Sequence, residues 1–281
     1  PDRASSGQIL AELCEGLVKR DFEVTVITGQ PSYDETAFDA AVSENIQGVK
    51  VHRVSVGRKR GRSRMRTRLF GYAKFMWNAW KTGLSIVGSQ QPDIVLTLSN
   101  PPIVGLVATW LSRKTNAHYV YVLTDIHPDI AVLSGSVPLP RLLVQLWNAI
   151  SVWILKRADT IIVLGDGMRE TLINTKGVPD RKIHVISLWG RPELEAEPRN
   201  SQFRSNLGLD DRELLLLYAG NMGIMHPLEP ILDAAAIHRD SPVRFLFIGG
   251  GYGREKLTDR VEKDRLSKVT ILPYQSESRF R

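Results

Sequence analysis

Three titratable residues within five positions, Asp125, His127 and Asp129, have the side-chain types of an acid–base site. They come directly after residues 119–123, an apolar run with the length of a buried strand. In open α/β sheets, ligands bind in the crevice beyond the carboxyl ends of the strands. The pattern therefore predicts proton handling or substrate positioning, with Asp125 and His127 as the stronger candidates. A turn residue at Asp125 and a structural imidazole at His127 are the alternative, and the spacing matches no strong metal-ligand pattern.

Two glycine-rich segments in the last third of the chain could hold phosphate groups. Gly220 to Gly223 and Gly249 to Gly251 each follow an apolar run of strand length and precede a helical pattern. Without side chains at these points, phosphates can approach backbone N–H groups and the positive end of a helix. Arg254 and Lys256 could add positive charge, so the two turns predict a nucleotide-linked ligand. Tight strand-to-helix turns and a solvated helix start are the alternative.

A run of basic residues lies directly before an aromatic segment that ends at Trp80. The run contains seven cations, which are Arg58, Lys59, Arg60, Arg62, Arg64, Arg66 and Arg68. Guanidinium groups bind lipid headgroups, and aromatic side chains such as Trp77 enter the interfacial layer. The combination predicts an anionic membrane surface as a partner, with a solvated loop and a buried aromatic helix face as the alternative. RNA binding is a further interpretation, but no recognisable RNA-binding motif accompanies the run, so we expect no nucleic-acid partner.

The elements that would position these groups alternate between helix and strand patterns. A helix at residues 7–20 precedes strands at 24–28, 49–54, 94–98, 119–123, 158–164 and 182–186. A second series has strands at 214–218, 243–248 and 269–272 and helices at 228–238 and 254–265. This alternation predicts an α/β fold with doubly wound parallel sheets covered on both faces. We expect a domain over residues 1–190, a linker over 191–202 and a partial second domain over 203–281, in a fragment truncated at both ends.

Composition sets broad limits on the class of protein. The chain has 281 residues, of which 43% are hydrophobic and 24% charged, as is typical of a soluble globular protein. Its net charge of +7 favours anionic partners. The single cysteine, Cys14, cannot form a disulfide framework and favours a reducing compartment. The longest apolar stretch, residues 142–155, is too short and too interrupted to cross a bilayer.

Residues 218–235, which begin Tyr218-Ala219-Gly220-Asn221-Met222-Gly223, resemble the donor-domain motif of family 4 retaining glycosyltransferases. Further blocks resemble the same family in the same order along the chain, at residues 20–29, 125–129, 245–251, 254–257 and 269–275. The branch that the chain resembles makes bacterial capsule, exopolysaccharide of the colanic-acid type, or the O-antigen of lipopolysaccharide. The resemblance implies the GT-B fold, in which sugar transfer takes place between two Rossmann-like domains. Here the second domain, and the first strand of the first, would be truncated.

The resemblance also implies the site. The donor would be a UDP- or GDP-linked sugar, bound without a metal or other cofactor by Gly220, Asn221, Met222, Gly223, His226, Gly249, Gly250, Gly251, Arg254, Lys256, Tyr274 and Gln275. The acceptor side of the cleft would include Ser6, Gly7 and Asn100, beside the loop with Asp125, His127 and Asp129. His226 is expected just inside the following helix, with a surface histidine as the alternative.

For the whole protein, the resemblance implies retaining transfer of a hexosyl or N-acetylhexosaminyl group to a lipid-linked saccharide. The protein would be cytoplasmic and peripheral on the inner face of the plasma membrane. Two departures support an alternative, an inactive remnant or membrane-surface binding module: Pro227 replaces an acidic residue, and the family's downstream glutamates would lie past Arg281. A dinucleotide oxidoreductase is disfavoured, because no G-x-G-x-x-G turn occurs in the right place.

Overall fold

The computed structural model of the chain describes residues 5–30, 41–56, 65–133, 135, 140–189, 202–210, 212–223 and 226–275. Outside the described residues lie the expected linker, apart from Gln202, and the basic residues Arg58, Lys59, Arg60, Arg62 and Arg64. The side chains of Ser6, Arg66 and Arg68 are also outside them. The chain divides into two compact units, one from Pro1–Ile130 and Leu139–Leu188 and the other from Ala131–Pro138 and Trp189–Arg281.

The first unit opens with a small three-stranded sheet. Its elements are helix α1 (Ser5–Val18) and strands β1 (Thr25–Gly29), β2 (Ser43–Ile46) and β3 (Val49–Val54). Strand β3 pairs in parallel with β1 and antiparallel with β2. Cys14 packs against Val51, and burial raises the pKa of its thiol, as expected for a packing group. Strand β2 was not predicted from the sequence, because Ile46 is its only apolar residue.

A four-stranded parallel sheet forms the larger part of the first unit. Its strands, in spatial order, are β4 (Ile94–Leu98), β5 (His118–Leu123), β6 (Thr160–Val163) and β7 (Ile183–Val185). The helices of this part are α2 (Met65–Ser89), α3 (Gly105–Thr115), α5 (Arg141–Arg157) and α6 (Asp166–Lys176). The short helix α4 (Asp129–Leu133) begins in the first unit, and its residues from Ala131 onwards belong to the second. Every pairing in this sheet is parallel, so the carboxyl ends of its strands lie along one edge.

One face of the four-stranded sheet carries the main core. Tyr119 and Ile161 point to this face, because alternate residues of a strand share a side, and they pack with Ala108 of α3 and Ile154 of α5. The described residues cover the opposite face only partly, since Val120 and other side chains on it remain partly exposed. The alternating helix and strand patterns of the sequence predict helices over both faces.

The second unit contains a three-stranded parallel sheet. Its elements are α7 (Gln202–Asn206), β8 (Leu214–Asn221), α8 (Glu229–Ile237), β9 (Val243–Gly250), α9 (Arg254–Lys263) and β10 (Val269–Leu272). The spatial order of the strands is β10-β9-β8. The core includes Met222, Leu232, Phe247 and Leu257.

The α/β class and the parallel sheets agree with the sequence analysis, but two boundaries differ. Strands β8 and β9 continue into the glycine-rich segments, as far as Asn221 and Gly250. Helix α8 begins only at Glu229, so the expectation that His226 lies inside this helix is wrong. Within the described part of the chain, no helix is both long and apolar enough to span a membrane.

Candidate functional site

In the second unit, the ends of β8 and β9 meet glycine to glycine. Gly220 pairs with Gly249, and Asn221 pairs with Gly250. Gly249 has a φ of 145°, and a Cβ there would overlap the carbonyl oxygen of Gly220. Gly251 has a φ of 128°, and its Cβ would lie 2.7 Å from the carbonyl oxygen of Met222. The close approach of the facing backbone therefore explains why glycine occupies positions 249 and 251.

Gly220 has different surroundings. Its φ is 156°, but a Cβ there would meet no atom within 4 Å. A side chain at this position would project into open space at the end of β8. Gly220 is therefore the glycine of this pair at which a ligand could reach the backbone.

A hydrogen-bonded cluster surrounds His226, in the segment between β8 and α8. Its Nδ1 lies 2.6 Å from the carbonyl oxygen of Asn221 and 2.9 Å from the hydroxyl of Tyr218, which itself donates to that carbonyl at 3.0 Å. Because a carbonyl only accepts hydrogen bonds, we assign a ring proton to Nδ1. Burial, followed by the neighbouring Tyr274, raises the pKa of Tyr218. Tyr218 opens the glycine motif but was not predicted to be a site residue.

The amino end of α9 lies against the end of β8. The amide of Gly253 donates to the carbonyl of Met222 at 2.8 Å, and the amide of Arg254 donates to Gly251 at 3.2 Å. Among the described residues, the amides of Glu255 and Lys256 have no hydrogen-bond acceptor. Unpaired amides at the positive end of a helix bind anions.

Of the predicted donor residues, Arg254 and Lys256 lie in the first turn of α9, and Tyr274 and Gln275 follow β10. Arg254 is partly exposed and Lys256 is exposed, and neither forms an ion pair within the described ranges. Tyr274 packs against Gly250, where an added Cβ would lie 3.0 Å from the tyrosine ring. Gln275 donates to the carbonyl of Pro273 at 2.8 Å. The arrangement places positive charge, free amides and an open glycine at the carboxyl edge of the sheet.

In the first unit, a buried serine joins the ends of β4 and β5. Ser99 is only 1% exposed, and its hydroxyl accepts hydrogen bonds from the amides of Thr124 at 3.1 Å and Asp125 at 3.2 Å. It also lies 2.9 Å from the Thr124 hydroxyl. Since Ser99 accepts two amides, its own proton is directed to Thr124. The contact fixes the backbone of Asp125 beside the exposed Asn100.

His127 lies in the loop after β5, packed on α5. Its ring stacks on Trp147, and its Nδ1 is buried without a hydrogen-bond partner in the described part of the chain. Burial lowers the pKa of His127, while the nearby Asp125 and Asp129 act in the opposite direction. The ring is therefore biased towards the neutral form. A cavity of about 10 Å³ adjoins it, lined by side chains that include Tyr121, Asp125 and Ser151.

Asp129 belongs to a buried polar cluster with residues of α5 and α6. The ammonium of Lys176 lies 2.8 Å from Asp129 Oδ1 and 2.6 Å from the side-chain oxygen of Asn148. The Lys176 side chain is only 4% exposed, against 37% for Asp129. This carboxylate therefore neutralises a buried cation and ties the loop to both helices. Lys176 and Asn148 were missed from the sequence, where they resemble ordinary polar helix residues.

The remaining predicted residues are spread more widely. Gly7 lies in the first turns of α1, and Trp77 of α2 is 56% exposed. In the ranges that the structure describes, no three His, Cys, Asp or Glu side chains are grouped so that they could hold a metal ion.

Comparison with protein families gives a match over most of the first unit. Residues 6–189 match the Glycosyl transferase 4-like domain. Among curated proteins, the chain is 26% identical over 179 residues to the probable glycosyltransferase WbjE of Pseudomonas aeruginosa, covering 63% of this chain and 44% of WbjE. It is 25% identical over 293 residues to the putative colanic acid biosynthesis glycosyl transferase WcaI of Escherichia coli strain K12, covering 98% of this chain and 70% of WcaI.

Solved structures show a similar fold. Sucrose-phosphate synthase from Thermosynechococcus elongatus superposes with a TM-score of 0.71 at 16% identity. Anabaena Alr3699/HepE in complex with UDP superposes with a TM-score of 0.62 at 14% identity. Each match covers 97% of this chain and 66% of the other protein. These matches confirm the predicted GT-B fold class, and this chain spans about two thirds of the length of either structure.

Proposed function

Because the chain belongs to the glycosyl transferase 4-like family, we propose that the protein transfers a sugar from a nucleotide-diphosphate donor to a saccharide acceptor with retention of configuration. The name of WcaI, a putative colanic acid biosynthesis glycosyl transferase, supports a role in bacterial cell-surface polysaccharide synthesis, and that of WbjE supports glycosyl transfer. This chain spans 44% and 70% of those two relatives, so its activity, donor and acceptor are part of the proposal.

The observation that carries the proposal is the amino end of α9 beside the open backbone of Gly220. The free amides of Glu255 and Lys256, together with the Arg254 guanidinium, would bind the donor diphosphate. His226 would present Nε2 to the donor sugar or to the ribose. A solved neighbour of the same fold binds UDP, which supports a UDP-linked donor; a GDP-linked donor would use the same diphosphate contacts.

The proposed chemistry needs stabilisation of a leaving group. The bond between the anomeric carbon and the diphosphate oxygen breaks, the acceptor hydroxyl oxygen bonds to that carbon, and the acceptor proton passes to the departing diphosphate. Negative charge grows on the diphosphate, where the helix end and Arg254 offset it. Neither a metal nor another cofactor is required in this scheme.

The loop after β5 would lie beside the acceptor and position it. We assign Asp125 and His127 to positioning or proton handling, because Ser99 fixes the backbone of Asp125 and Trp147 fixes the ring of His127. The bias of His127 towards its neutral form would let it accept a hydrogen bond from a sugar hydroxyl. Asp129 would act through the Lys176 contact, by holding the loop in place.

We also propose where the protein acts and which part of the chain binds each substrate. The acceptor is a lipid-linked saccharide, and the protein works in the cytoplasm, peripheral on the inner face of the plasma membrane. Residues 1–190 would form the acceptor side, with Gly7 and Asn100 near the acceptor, and residues 203–281 would bind the donor. The basic run at residues 58–68 and the exposed Trp77 support a membrane contact.

Isothermal titration calorimetry with UDP and GDP tests the donor site directly. We expect one of the two to bind, and Arg254→Gln to weaken binding by about tenfold, since it removes a charge-assisted contact to phosphate. The matched control is Lys263→Gln, which removes an exposed cation at the other end of α9. Absence of binding to both nucleotides by the folded protein, or equal effects of the two variants, would contradict the proposed donor site.

A further inference from the structure

Three helices of the first unit carry positive charge without any negative charge. Helix α2 has four basic residues, α3 has two and α5 has three, and none of the three contains an aspartate or a glutamate. The bias is local, because α6 of the same unit contains both Asp166 and Glu170. A surface built from these three helices therefore favours an anionic partner.

Each of the same three helices exposes a tryptophan with a cation four residues later. The Lys81 ammonium lies 5.2 Å from the ring centroid of Trp77, and Lys114 lies 5.4 Å from that of Trp110. The Arg157 guanidinium lies 5.0 Å from the ring centroid of Trp153. The three tryptophans are 56%, 40% and 41% exposed, respectively. Residues four apart lie on the same side of a helix, so each pair reaches solvent together.

Helices α2 and α3 are joined by aromatic contacts at this surface. Trp80 bridges the two helices, because its ring centroid lies 5.2 Å from that of Trp77 and 5.5 Å from that of Trp110. Trp77, Trp80 and Trp110 therefore form a continuous aromatic row across the two helices.

Helix α5 is packed beside α3 on the same face of the four-stranded sheet. A Cβ on Gly105 of α3 would contact Ile154 of α5, and both helices contribute to one core. The outward side of α5 is apolar, with Leu142 74%, Leu146 57% and Trp153 41% exposed. These positions recur at helical spacing and end at Arg157, so the apolar stripe finishes with a cation.

We propose that the aromatic–basic face, formed by Trp77, Lys81, Trp110, Lys114, Trp153 and Arg157, binds the surface of an anionic lipid bilayer. Tryptophan is favoured at the bilayer interface, where its ring is partly in acyl chains and its N–H near water. Lysine and arginine beside it contact headgroup phosphates. The absence of acidic residues from all three helices removes the repulsion that such a surface would otherwise meet.

This inference rests on the proposed function and extends it, because it gives the lipid-linked acceptor a surface at which to meet the protein. It moves the expected membrane contact beyond the basic run to the outer sides of α3 and α5. The bilayer interface would lie along the helical layer of the first unit, and the exposed Trp110 and Trp153 would both enter it.

Vesicle co-sedimentation of the full chain tests the face. We expect binding to vesicles that mix phosphatidylglycerol with phosphatidylcholine and much weaker binding to phosphatidylcholine alone. The triple variant with Lys81→Gln, Lys114→Gln and Arg157→Gln should lower the partition coefficient between vesicles and water about a hundredfold. This corresponds to about fivefold for each cation removed. The triple alanine variant of Trp77, Trp110 and Trp153 should lower it by about tenfold or more.

A matched control removes the same charge elsewhere, through Lys19→Gln, Arg181→Gln and Lys263→Gln, all at exposed positions. Equal losses of vesicle binding in the control and the face variants would overturn the proposal. Wild-type protein that does not bind anionic vesicles would also overturn it. Circular dichroism checks the fold of each variant. UDP and GDP titrations of the same samples separate the two proposals, because a failed membrane contact leaves nucleotide binding intact.

Discussion

The imidazole of His127 stacks on the indole of Trp147, with ring centroids 5.6 Å apart and ring planes 16° apart. His127 Nδ1 and Trp147 Nε1 are both buried without a hydrogen-bond partner in the described ranges. Stacking, rather than hydrogen bonding at these two atoms, therefore sets the plane of the histidine ring. Through Trp147, helix α5 controls the orientation of a residue that we assign to the acceptor side.

Replacing Trp147 should disturb the His127 ring more than the fold. Aromatic pairs contribute about 0.5–1.5 kcal/mol beyond their buried area. We expect Trp147→Ala to lower kcat/KM by about tenfold or more in an assay of sugar transfer, because His127 loses its fixed plane. Trp147→Phe keeps an aromatic face and should retain most of the activity. Similar losses in both variants would show that stacking does not position His127.

The lowered pKa of His127 predicts a pH effect on stability. Burial favours the neutral ring in the folded protein, whereas the unfolded chain titrates near the ordinary value of about 6.5. The unfolded state therefore binds more protons below that pH, so stability is full above it and falls as the pH drops towards the folded pKa. We expect the difference in Tm between pH 7.5 and pH 5 to shrink in His127→Gln. An unchanged difference would mean that other groups cause the acid sensitivity.

The Lys176–Asp129 pair predicts unequal effects of its two partners. Asp129→Ala leaves a buried ammonium without its counter-ion and should lower the free energy of unfolding by about 3 kcal/mol, measured by urea denaturation. Lys176→Met leaves the more exposed carboxylate, which water can solvate, and should have a smaller effect. The exposed pair of Arg169 and Asp180 is the control, and Arg169→Ala should change stability much less than Asp129→Ala, because water solvates both groups. A larger effect of Lys176→Met than of Asp129→Ala would contradict this interpretation.

Local patterns predicted the strands that carry the site, because short apolar runs bounded by turn residues are specific signals. The run at 119–123 became β5, and the loop with Asp125 and His127 follows its carboxyl end as expected. The contacts that hold this loop could not be predicted. Trp147 and Lys176 are far from it along the chain, and one sequence contains no information on which distant helix residues meet a loop.

The glycine segments were predicted as turns, yet their first residues continue the strands. Gly220 pairs with Gly249 because two residues without side chains let the strand ends approach closely. The run of apolar residues ends at the first glycine of each segment, so the sequence indicated a turn there. In the structure, the pairing of β8 with β9 continues through this point. For the same reason His226 was placed in α8, which in fact begins three residues later.

The two paired glycines should respond differently to alanine. Both have positive φ, so backbone strain of about 1–3 kcal/mol is common to Gly220→Ala and Gly249→Ala. Only the Cβ at Gly249 would overlap the facing carbonyl, so urea denaturation should show a distinctly larger loss of stability for Gly249→Ala. At Gly220 the Cβ would occupy open space where we propose that the diphosphate approaches. We therefore expect Gly220→Ala to remain folded but to bind UDP or GDP at least about tenfold more weakly by calorimetry. Wild-type nucleotide affinity in folded Gly220→Ala would show that the glycine serves only the backbone and that the diphosphate binds elsewhere.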